Sequence, residues 1–175
     1  MRKLAPAVLA ILLGAAIAAR AQEPSPTPKR GLFSHLFHPF AGSGKVPQYR
    51  NAKLNGLALS MQLPAEPIKL SEMRQLPVTI RLTNRGNHAI ELDFPTDDRI
   101  DIYLHDAAGK IVTRWSDNRA FEPTPASVLI NPNEHVEYAE TIATRDLAPG
   151  RVFTVEVTVP AYPELDAKRK LLAAP

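Results

Sequence analysis

"PVTIRLTN" (77–84) sets Val78, Ile80 and Leu82 against Thr79, Arg81 and Thr83 in strict alternation. That period of two is the period of a β-strand, whose successive side chains point to opposite faces. A strand with one apolar and one polar face fits an antiparallel sheet covered on one side. The same pattern recurs outward in both directions. Leu57, Leu59, Met61 and Leu63 alternate before it; Ile90, Leu92 and Phe94, then Ile100, Ile102 and Leu104, alternate after it. "KIVTRWS" (110–116), "HVEYAETIA" (135–143) and "RVFTVEVTVP" (151–160) continue the series. "NRGN" (84–87), "DAAGK" (106–110) and "APG" (148–150) supply turns, and no convincing helix intervenes. The pattern predicts an all-β chain: an immunoglobulin-like antiparallel β-sandwich of seven or eight strands over residues 54–164.

The flanks differ from this body. Arg2 and Lys3 precede an apolar run from Leu4 to Ala19, and Ala19-Arg20-Ala21 has the form of a cleavage site. This predicts a signal peptide over 1–21 and export, periplasmic or secreted, of a mature chain starting at Gln22. Residues 22–53 form a linker, Pro-rich in "QEPSPTPKR" (22–30) and Phe-rich in "GLFSHLFHPF" (31–40). Leu32, Phe33, Leu36, Phe37 and Phe40 recur at helical spacing, so this segment is a candidate to dock on a membrane surface or a partner. Residues 165–175 carry three basic side chains and one acidic one and read as a tail that frays, with at most a helical turn.

Charge and motifs exclude several functions. Residues 54–164 hold ten basic and sixteen acidic side chains, which is not the field of a nucleic-acid binder. The chain has no cysteine, so thiol catalysis and disulfides are out. No phosphate-binding glycine loop, nucleophile elbow or H-E-x-x-H pattern occurs. Asp97, Asp98 and Asp101 lack the spacing and glycine of a calcium loop and read as a polar turn. His35 and His38 are too few to make a metal site. The expectation is a protein that is not an enzyme and takes no cofactor or metal.

"RWS" (114–116) carries the chain's one tryptophan, Trp115. The stretch around it resembles the BsuPI family of intracellular proteinase inhibitor domains over about residues 54–160. The resemblance rests on Leu82-Thr83-Asn84 with Gly86, on Leu92 to Pro95, on Arg99 with Asp101, on Asp106 with Gly109 and Lys110, on Arg114-Trp115-Ser116, and on Phe121. It departs at "NPNE" (131–134), where the family tends to a P-G-E turn, and in the next strand, which lacks the usual tryptophan. The resemblance implies an immunoglobulin-like fold and a binding module of the proteinase-inhibitor type, with a protein partner, an exported protease if the chain is exported. An envelope adaptor tethered through Leu32–Phe40 is the alternative.

Trp115 and Phe121 are expected to pin the two ends of a long connection into the sandwich. The polar, proline-bounded loop Ser116–Ser127 then faces solvent, and Asp117, Asn118, Arg119 and Glu122 are the candidate partner-binding residues. Pro123 and Pro125 stiffen it.

Overall fold

The computed structural model describes residues 45–175. The expected signal peptide, the spacer 22–30, the docking segment Leu32–Phe40 and the pair His35 and His38 lie outside these residues, as does the side chain of Asn118.

Ten strands follow in order: β1 (Leu57–Gln62), β2 (Ile68–Lys69), β3 (Gln75–Asn84), β4 (Ile90–Phe94), β5 (Asp101–His105), β6 (Ile111–Arg114), β7 (Ala126–Ile130), β8 (His135–Ala143), β9 (Val152–Thr158) and β10 (Asp166–Ala174). They form a three-stranded sheet β1-β3-β8, a five-stranded sheet β2-β10-β9-β5-β6 and a two-stranded ribbon β4-β7. All pairings are antiparallel except β2 with β10. The expected immunoglobulin-like sandwich is what the chain forms. It has ten strands among the described residues instead of seven or eight, because β2, β7 and β10 carry no clear alternation in the sequence. The alternation of β3 sends Leu76, Val78, Ile80 and Leu82 inward, all essentially inaccessible. Leu76, Val78 and Ile80 share a cluster with Ile102 and Leu104 of β5 and Phe153, Val155 and Val157 of β9 from the facing sheet, while Leu82 belongs to the second cluster. Burying one such side chain contributes roughly 1.5–3 kcal/mol, so a core of this size needs no disulfide. The β4-β7 ribbon closes one end over a second cluster that includes Leu54, Leu57, Phe94, Ile130 and Leu165.

Two boundaries differ from expectation. The tail is not frayed: residues 166–174 are β10, which lies between β9 and β2. Leu171 and Ala173 are buried, while Lys168, Arg169 and Lys170 stay exposed, which is why the stretch reads as polar. The linker also ends earlier than residue 53. Tyr49 donates its hydroxyl to Leu57 O at 2.8 Å, and the amides of Arg50 and Asn51 donate to the Glu164 carboxylate.

Turn-locking side chains explain much of the sequence signature. Asn84 is fully buried; its Nδ2 donates to His88 O at 2.7 Å and Ile130 O at 2.9 Å, and its Oδ1 accepts from Gly86 N at 2.8 Å. Asp106 Oδ1 accepts from the amides of Ala108 and Lys110, both at 2.9 Å, across the β5–β6 hairpin. Gly109 takes a φ of +83° there.

Candidate functional site

β6 runs directly into a 3-10 turn, Trp115–Asn118, from which the chain continues as an irregular segment to β7. Both ends of this connection are fixed. At its start, Asp101 on β5 is buried to zero exposure, and a buried carboxylate requires donors. Arg114 Nε reaches its Oδ2 at 2.8 Å and Ser116 Oγ at 2.9 Å, while the Ile102 amide donates to Oδ1 at 2.9 Å. The Arg114 guanidinium also lies 5.2 Å from the Tyr103 ring centroid. Further on, the Glu122 amide donates to Asp97 Oδ1 at 2.8 Å, and Glu122 O accepts from the Asp97 amide at 3.2 Å. The acidic group 97–101 is therefore no calcium loop, since Asp97 and Asp101 are each spent on the connection. Among the described residues no group of three His, Asp or Glu side chains could hold a metal ion.

Between these fixed points Trp115 organises the segment. It is half-buried against the main core cluster rather than enclosed within it. Its indole N–H donates to Glu140 Oε2 at 3.2 Å. The Arg119 guanidinium stacks over its ring, 3.7 Å from the centroid, and donates to the same Glu140 oxygen at 3.1 Å. The Phe121 ring lies 6.1 Å from it on a tilted approach. A cation on an aromatic face contributes ~0.5–2 kcal/mol depending on solvation. The charge pair itself contributes little, because the Arg119 side chain is 43% exposed.

Of the four residues expected to present the loop, Arg119 is thus folded back and Glu122 is held through its backbone. Asp117 is exposed and lies in the 3-10 turn. Glu140 was not foreseen. It sits on β8 opposite Val78, so it faces inward among Val136, Tyr138 and Ile142. A charged residue at an inward position of an alternating strand is the signal that could have found it.

The family described as Intracellular proteinase inhibitor, BsuPI, matches residues 66–164, more than half of the chain. The chain belongs to the BsuPI family. Its description as intracellular overturns the expectation of export: a basic start followed by an apolar run is a compositional signal, and the family points to the cytoplasm instead of a periplasmic or secreted location. No curated protein matches. Among solved structures, the sporulation control protein Spo0M from Bacillus subtilis is similar at 12% identity and a TM-score of 0.40, over 69% of this chain and 50% of that one. A β-glucuronidase of glycoside hydrolase family 2 is similar at 10% identity and a TM-score of 0.40, over 65% of this chain and 11% of that one. A β-glucosidase from Listeria innocua is similar at 15% identity and a TM-score of 0.37, over 69% of this chain and 16% of that one. This BsuPI chain therefore spans only a small part of either glycosidase, and likenesses this low carry nothing about function.

Proposed function

We propose that this BsuPI protein is a proteinase inhibitor and that the Ser116–Ser127 connection makes the inhibitory contact with a protease. The observation that supports it is the double anchoring of that connection, by Asp101 at Ser116 and by Asp97 at Glu122. Ordering a mobile loop on binding costs about 0.5–1.5 kcal/mol for each immobilised side chain, and a loop ordered in advance avoids most of that. Pro123 and Pro125 restrict the exit from the loop, and both are exposed. Membership of the family supplies the protease as partner class.

The experiment is an inhibition assay against a panel of serine proteases with small, aromatic and basic specificity pockets. The protein should inhibit at least one. A variant with Asp117, Asn118, Arg119 and Glu122 all replaced by Ala should weaken inhibition at least ~10-fold, which is ~1.4 kcal/mol. Absence of inhibition across the panel, or full inhibition by the fourfold variant, would sink the proposal.

A further inference from the structure

Arginine is the obvious residue in "DNRAFEP" (117–123) to enter a protease pocket. The geometry points elsewhere. We infer that, in the inhibitory contact proposed above and resting on that reading, the side chain offered to the protease's primary specificity pocket is Ala120, so that the partner is a protease with a small pocket.

Arg119 is extended, with φ −118° and ψ 141°. In extended chain, successive side chains point to opposite sides, and residues two apart share a side. Arg119 and Phe121 are two apart, and both lie against the same ring: the Arg119 guanidinium is 3.7 Å from the Trp115 centroid and the Phe121 ring 6.1 Å. The residue between them must point away, and Ala120 is exposed. Bringing the Arg119 side chain outward would give up both the stack on Trp115 and the hydrogen bond to Glu140.

The backbone agrees with the side chains. A peptide lying in a protease cleft pairs as an added strand, through its own N–H and C=O groups. Glu122 has both of these engaged by Asp97. Among the described residues, neither Ala120 nor Phe121 gives its N–H or C=O to another group. The free stretch of backbone is therefore centred on the residue whose side chain projects. A methyl group fills a shallow pocket of the elastase type. It leaves the deep aromatic pocket of the chymotrypsin type mostly empty and offers nothing to the carboxylate of the trypsin type.

The test measures inhibition of an elastase-type, a chymotrypsin-type and a trypsin-type protease by the natural protein, Ala120→Arg and Arg119→Ala. The natural protein should inhibit the elastase-type enzyme best. Ala120→Arg should lose at least ~10-fold against that enzyme and gain at least ~10-fold against the trypsin-type one, with an unchanged melting temperature. Inhibition centred on the trypsin-type enzyme and abolished by Arg119→Ala would overturn the inference. So would inhibition of any enzyme that Ala120→Arg leaves unaltered, and in that case the fourfold loop variant still decides the broader proposal. If the natural protein inhibits none of the three, the proposed function and this inference fail together.

Discussion

Trp115 and Glu140 meet across the side of the sandwich, indole N–H to carboxylate oxygen at 3.2 Å. β8 ends the three-stranded sheet and β6 ends the five-stranded one, and the two edges lie on the same side. Trp115, at the end of β6, fills the space between them, and Glu140 gives its polar edge a partner there. Glu140→Ala should cost about 1–3 kcal/mol, since it strips the acceptor from a half-buried N–H. Glu140→Gln keeps an acceptor and should cost under ~1 kcal/mol, because the exposed Arg119 pair adds little. Urea melts of both variants check this; equal losses would show that charge rather than hydrogen bonding is what matters.

Gly56 and Gly109 both have positive φ, +94° and +83°, yet they should respond differently to alanine. A Cβ on Gly56 would lie 2.8 Å from the Gly86 Cα, which is backbone and cannot swing aside. A Cβ on Gly109 would meet nothing within 4 Å. Gly109→Ala should cost only the left-handed strain, about 1–2 kcal/mol. Gly56→Ala adds overpacking and should cost about 2–5 kcal/mol in the same chemical melts.

Asp98 gives a pH dependence of definite sign. Burial raises the pKa of its carboxyl above the ordinary aspartate range; Asp101 and Asp97 push it up further, and Arg114 opposes them. Its Oδ1 is buried without a hydrogen-bond partner. The folded state therefore holds this proton more tightly than the unfolded chain. The associated stability is present below about pH 4 and is lost as pH rises through the folded pKa. Asp98→Asn should accordingly be more stable than the natural protein at pH 7, with the advantage shrinking as pH falls towards 4. A constant advantage at all pH values would contradict this assignment.

Ending the chain at Glu164 should abolish cooperative unfolding. That cut removes β10, which separates β9 from β2, together with the buried Leu171 and Ala173. It leaves Phe153, Val155 and Val157 without a neighbour on one side. Near-ultraviolet circular dichroism should flatten; a native-like spectrum would mean that β10 is dispensable.

The sheets were legible because alternation is local: "PVTIRLTN" (77–84) and "RVFTVEVTVP" (151–160) carry their own burial pattern. β10 was not legible. Asp166, Lys168 and Lys170 on its outward side and Arg169 on the other are charged, and what fixes it is pairing with β9 and with Ile68–Lys69, about a hundred residues earlier in the chain. At the site, Trp115 and Phe121 stood out by residue type and do meet. The fold of Arg119 onto Trp115 was hidden, because its other partner, Glu140, is supplied by a strand that composition does not link to the loop. The signature residues Asn84, Asp101 and Asp106 prove to be turn and loop locks, which is why a family pattern can identify the fold without marking the contact surface.

The one parallel pairing, Ile68 and Lys69 of β2 beside Ala173 and Ala174 of β10, joins the second strand of the folded body to its last. Tension that reaches β2 from its N-terminal side and β10 from its C-terminal side would draw these strands in opposite directions along their shared axis. Their hydrogen bonds, including Leu70 N to Ala174 O at 3.0 Å, would then be loaded together in shear instead of opening one after another. A protein pulled from both ends would feel the load first in β1, which precedes β2 and pairs with β3, and then in this short clasp at the edge of the five-stranded sheet.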